Sequence, residues 1–211
     1  LLSLAAVPFV QMAARSFFST GVPGYDAAIK HITLWAALIS GMICTREKQH
    51  ISLRFISETG SSRFNNNIKK IVVVTGSAVS IATALAAVSF SLIGFDSSQR
   101  IGLVPSGFLS IIIAVSFAVT GIRFVGRSEA SGKPALMIAG IVTGVFLGLP
   151  AIINIMYLTP VFPPLWMEEL LTGYYIFFEA ADLVLVFIFI ILAAFGLPIF
   201  ILLGGAAFAL F

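Results

Sequence analysis

Apolar residues along this chain come in long unbroken runs rather than at the spacing of a half-buried helix or strand. Between charged side chains, Ile71–Phe95 gives 25 residues, Ile101–Ile122 gives 22, Pro134–Met167 gives 34 and Leu183–Phe211 gives 29. A helix needs about 20 apolar residues to cross the roughly 30 Å hydrocarbon core of a bilayer. Those four runs satisfy this alone. Ala27–Cys44, 18 residues interrupted only by Lys30, comes close, and Leu1–Phe18 is a sixth candidate. A closed barrel would need strands alternating polar and apolar residues, and "IVVVTGSAVSIATALAAVSF" does not alternate. The pattern predicts an all-α, polytopic transmembrane helical protein with about six membrane segments.

The breaks between runs add detail. Pro134 suits a first helical turn, where its missing N–H costs nothing. "LTPVFPPLW" is a turn set by three prolines. The stretch after it, 166–211, would be roughly 69 Å long as one helix, too long for one straight crossing. We therefore expect Trp166–Ala181 to lie along the outer interface, where Trp166, Tyr174 and Tyr175 suit the headgroup level. The crossing would begin near Asp182, and Gly196 and Pro198 would bend or break it. The segment 46–70 is too polar to cross. Ile51, Leu53, Phe55, Ile56, Phe64 and Ile68 punctuate its charges, which predicts an interfacial cytoplasmic helix, restarted at Ser61 or Ser62 as N-cap. A solvated loop is the competing reading.

Composition agrees with the pattern, and charge adds a direction. Hydrophobic side chains make up 59% of the 211 residues and charged ones only 10%, whereas soluble domains carry about 25% charged residues. Arg46, Lys48, Arg54, Arg63, Lys69 and Lys70, with Arg123, Arg127 and Lys133, place nine basic residues on one side, against Arg15, Lys30 and Arg100 on the other. The positive-inside rule makes the first side cytoplasmic and starts the chain there. Both ends, "LLSLAAVPFV" and "LGGAAFALF", are apolar, and we expect a longer polypeptide around them. Cys44 stands alone and gives neither a disulfide frame nor a metal cluster.

Few residues offer chemistry. A charge inside a membrane is costly and is usually paired. Arg15 and Asp26 fall near the outer ends of adjacent helices and either pair or leave Arg15 to snorkel to headgroups. Asp26 and Lys30 are i, i+4 neighbours and offer a second pairing. His31 and His50 sit at opposite ends of one helix and cannot ligate one metal ion. Gly140, Gly144 and Gly148 recur every fourth residue in "GIVTGVFLG", a face that allows close helix packing in lipid. The alternative is the general abundance of glycine in membrane helices. No set of residues supports catalysis, no cofactor is implied, and no nucleic-acid partner is expected.

The order Arg15, "GYDAAIK", Trp35 and "TREKQHISL" resembles the small, Q-type membrane subunit of TRAP (tripartite ATP-independent periplasmic) transporters. The matching positions are Arg15, Asp26, Trp35, Arg46, His50 and Ile51, and Ala27 stands where the family often has a second Glu. "GLVPSGFLSIIIAVSFAVTGIRFV" is similar to the last helix of that subunit, and "IFIILAAFGLPIFILLGGAAFALF" to the first helix of the large, M-type subunit. The resemblance implies a fusion: 1–130 a four-helix Q-type scaffold, 131–165 an additional linker crossing, and 166–211 the start of the M-type part. It further implies sodium-driven uptake of organic acids delivered by a periplasmic substrate-binding protein. Sodium and substrate sites would lie beyond Phe211, and the present residues would form a scaffold among membrane lipids. A stand-alone multipass anchor or assembly protein without transport activity is the alternative.

Overall fold

The computed structural model describes residues 25–47, 52–54, 62–96, 100–101, 103–129, 134–160 and 162–198, with residues 9, 12, 16 and 17 described singly. In chain order the elements are α1 (Tyr25–Glu47), β1 (Ser52–Arg54), α2 (Ser62–Ile93), β2 (Arg100–Ile101) and β3 (Val104–Pro105). Then follow α3 (Ser106–Glu129), α4 (Pro134–Leu147), α5 (Leu149–Tyr157), α6 (Leu165–Ala194) and β4 (Phe195–Pro198). The protein is an all-α, polytopic membrane fold carrying two small antiparallel strand pairs, β1–β4 and β2–β3. Lys70–Ile93, Ser106–Phe124 and Leu165–Leu192 are each long and apolar enough to cross a bilayer. The bent pair α4–α5 is long and apolar enough for a fourth crossing when its two halves are taken as one span, and α1 contributes the shorter apolar stretch Ala27–Ile43. The expected first crossing, Leu1–Phe18, lies outside the described residues apart from Phe9, Met12, Ser16 and Phe17, which are helical and exposed.

Helix α2 is the axis of the molecule. Gly76, Ser77, Ala78, Val79 and Ser80 are five consecutive buried residues. At 3.6 residues per turn they cover the whole circumference, so neighbours surround the helix at that level. Along its length α2 meets α3, α4 and α5, and α1 packs against α3. Val79 and Phe124 form the buried apolar centre, against which Val72, Phe189 and Leu192 pack.

Breaks in the helices have local causes. Gly148 separates α4 from α5, whose axes differ by 53°. Pro150 in the first turn of α5 lacks an N–H, and its ring would clash with a carbonyl one turn back in a straight helix, which forces the bend. Helix α5 ends with Leu158 N–H donating to Ile155 O and Thr159 N–H to Met156 O, at 3.1 and 3.0 Å. Pro160, Pro163 and Pro164 then prevent continuation.

The structure corrects two expectations. There is no separate interfacial helix over 46–70 among the described residues. Ser52–Arg54 is a strand paired with Phe195–Pro198, with Ser52 opposite Pro198 and Arg54 opposite Phe195. "ISLRF" alternates apolar and polar residues, the period of a strand, and the segment from Ser62 onward belongs to the same helix as the α2 crossing. The second correction concerns Trp166–Ala181, which does not lie apart from the crossing. Leu165–Ala194 is one continuous helix of 30 residues. Its acidic positions are too few to interrupt the apolar hydrogen-bonded run, and it stops where Gly196 and Pro198 turn the chain into β4.

Candidate functional site

The described residues contain no group of three or more His, Cys, Asp or Glu side chains placed to hold a metal. The features that can carry function are the surfaces where helices meet inside the membrane. The first is the face of α4. A Cβ built on Gly140 would lie 2.0 Å from Ser77 Oγ. One on Gly144 would lie 2.8 Å from Ile81 Cβ and 2.9 Å from Ala78 O, and one on Gly148 would lie 2.5 Å from Leu85 Cδ1. The three glycines meet Ser77, Ile81 and Leu85, which recur at the same four-residue step on α2. The numbering rises together, so α4 and α2 run parallel, backbone against backbone. Residues 134–147 are thus an integral part of the bundle.

The α2–α3 seam uses small polar residues. Ser110 Oγ donates to Ser91 Oγ at 3.0 Å and lies 2.8 Å from Gly107 O. A Cβ on Gly107 would fall 2.5 Å from Ser91 O, and one on Gly121 would fall 3.2 Å from Ile81 Cγ1. Here the numbering runs oppositely, so α3 is antiparallel to α2. Ser77, Ser80, Ser89, Ser110, Ser116 and Thr120 are all buried. Without a hydrophobic gradient between lipid and protein, such close approach and hydrogen bonding hold membrane helices together.

Helix α1 is held to α3 by three side chains that donate to backbone carbonyls. Trp35 Nε1 donates to Leu109 O at 3.0 Å, and Ser116 Oγ to Leu38 O at 3.3 Å. The Arg123 guanidinium donates to Met42 O. On α3 the positions 109, 116 and 123 are one heptad apart, which keeps them on one face. Sequence reasoning used Trp35 only as a mark of resemblance and Arg123 only as a topology charge. On α3 the seven-residue step from Leu109 through Ser116 to Arg123 was the available signal.

Helix α6 touches the bundle near its two ends. Phe189 and Leu192 pack on the Val79–Phe124 centre. Near the other end Tyr174 is buried, its hydroxyl donates to Leu147 O at 3.1 Å, and its ring lies 5.7 Å from that of Phe146. Tyr157 Oη donates to Glu168 Oε1 at 2.5 Å, fastening the end of α5 to the start of α6. None of the most apolar 18-residue window of α6 is buried.

The charged candidates are placed as follows. Lys30 is exposed on α1. Asp26 is in the first turn and Arg46 in the last turn of α1, but their side chains, like Arg15 and His50 as whole residues, lie outside the described set. The Arg15–Asp26 and Asp26–Lys30 pairings fall there too. His31 Nδ1 lies 2.8 Å from Ala27 O, a hydrogen bond within its own helix.

The described helices form a bundle of parallel and antiparallel neighbours zipped by glycine and serine. Residues 4–128 match the family model of the DctQ component of tripartite ATP-independent periplasmic transporters. The match covers more than half of the chain, and the chain belongs to that family. It is a transporter component family, not an enzyme family. No curated protein and no solved structure matches the chain.

Proposed function

We propose that this chain is the membrane scaffold of a secondary transporter for organic acids. A sodium gradient drives uptake, a periplasmic substrate-binding protein delivers the solute, and an M-type part carries the substrate and sodium sites. Residues 1–130 form the Q-type scaffold, 131–165 add one crossing, and 166–211 begin the M-type part of the same polypeptide. The protein sits in a bacterial inner membrane with its start in the cytoplasm, and Arg15, Asp26, Lys30, Arg46 and His50 serve structure or docking rather than chemistry.

Membership of the DctQ family over residues 4–128 carries this reading. The packing supports the scaffold role, because seams closed by glycine and serine hold α2, α3 and α4 as one block. The test is uptake of a labelled organic acid into cells lacking their own system. The chain with its transport part and binding protein should concentrate the solute only under an inward sodium gradient. Equal uptake with the chain deleted, or without sodium, would sink the proposal.

A further inference from the structure

The first turns of α6 present Trp166, Glu169, Gly173, Tyr174 and Phe177 on one side, and with Phe146 of α4 they line an open groove of about 330 Å³. From Trp166 to Phe177 the groove follows the helix for roughly 16 Å, about half the hydrocarbon thickness. Its Trp166 end lies near the start of the helix, where an aromatic ring suits headgroup depth, and its Phe177 end lies further along the apolar run. One wall is fixed in advance, because Tyr174 is tied to Leu147 O and stacked on Phe178 with ring centroids 4.4 Å apart.

Two features of this groove are unexplained by the chain itself. Glu168 is engaged by the Tyr157 hydroxyl, but its neighbour Glu169 is exposed, and no described residue hydrogen-bonds to it or pairs with it. A carboxylate at the edge of a membrane calls for a cation. Gly173 interrupts a helix interior, where glycine is a poor choice, yet a Cβ there would meet nothing within 4 Å. At Gly140 and Gly144 the glycine makes room for α2; at Gly173 no described residue occupies the room.

We propose that this groove binds a phospholipid with a primary ammonium headgroup. The ammonium lies between the Glu169 carboxylate and the Trp166 ring, and one acyl chain runs over Gly173 to Phe146 and Phe177. An ammonium offers three donors to the carboxylate and is attracted by an aromatic face. An anionic headgroup would meet Glu168 and Glu169 with the wrong sign. Towards Phe177 the groove is apolar and open, as an acyl chain requires.

The test is native mass spectrometry of the delipidated chain titrated with phosphatidylethanolamine or phosphatidylglycerol. The parent should retain the ethanolamine lipid by about fivefold over the glycerol lipid, the size of one ion pair with a cation–π contact. Glu169→Gln should remove most of that preference, and Gly173→Leu should lower retention of both lipids. Glu169 is exposed, so a melting curve matching that of the parent checks folding, and Trp166→Ala provides a second, equally exposed variant that should weaken the preference. Equal retention of the two lipids by the parent, or an unchanged preference in both headgroup variants, overturns the proposal. So does quantitative disulfide capture of a protein segment by a cysteine at Gly173 in native membranes, because the groove would then hold a helix. No arm measures transport, so failure here is separate from failure of the uptake reading.

Discussion

On the glycine face of α4, Gly144 is the position at which no neighbouring atom can easily move aside. Its nearest contacts are the branched Cβ of Ile81 and the backbone oxygen of Ala78. At Gly140 the nearest atom is the rotatable hydroxyl of Ser77, whose Cβ stands back at 3.2 Å. Alanine at the two positions should therefore behave differently, although the sequence motif treats them alike. Gly144→Ala should destabilise by about 1–3 kcal/mol, the range for overpacked cores, and Gly140→Ala by clearly less. Melting temperatures in detergent decide this, and equal losses would mean that α4 as a whole moves aside. Gly41 offers the control, because a Cβ there meets nothing within 4 Å. Gly41→Ala should stabilise by about 0.5–1 kcal/mol through helix propensity alone, and a lower melting temperature would show that α1 is covered by something at that face.

At the scale of elements, the clamp between α1 and α3 is the most exposed to test. Trp35→Phe keeps most of the apolar surface but removes the donor to Leu109 O. The loss should be about 0.6 kcal/mol, the average for hydrogen bonds between membrane helices, and Ser116→Ala should add to it nearly independently because it frees a different carbonyl. A double variant no worse than either single one would mean that α1 detaches as a unit. The elements also show what the sequence discloses and what it hides. Run length disclosed the crossings of α2, α3 and α4–α5, because hydrocarbon thickness acts on every residue in a span. The glycine spacing of α4 was visible as a candidate face, but its partners Ser77, Ile81 and Leu85 were not, since nothing local says which neighbour a small residue meets. The strand at Ser52–Arg54 was written in the alternation of "ISLRF", but its charges suggested an amphipathic surface helix. The continuous α6 was obscured by the length of 166–211 and by Trp166, Tyr174 and Tyr175, which suit the headgroup level. Tyr174 is instead buried against α4 within one unbroken helix. The charged site residues could be proposed from the sequence only as candidate pairs and as likenesses to a family, because an ion pair depends on two side chains meeting.

For the whole molecule, direction is the first question. Asn67, in the polar start of α2, and Leu103, in the turn of the β2–β3 hairpin, are both exposed at opposite ends of the bundle. Single cysteines there should separate cleanly. The Leu103 variant should react with a membrane-impermeant thiol reagent in intact cells, and the Asn67 variant only after lysis. The reverse result would invert the orientation drawn from the basic residues. The bend at Gly148 has a consequence of another kind. Straight, the 14 residues of α4 and the 9 of α5 would reach about 35 Å end to end at helical rise. Bent by 53°, with α4 upright, they reach only about 29 Å, close to the hydrocarbon thickness of a bilayer. Helix α6 beside them offers a 28-residue apolar length, or about 42 Å. Lipids along this flank therefore meet a short wall next to a tall one. Matching both requires α6 to tilt or the leaflets to change thickness over one helix diameter. Either response couples the protein to bilayer thickness, and its stability should follow acyl-chain length, with an optimum rather than a steady trend.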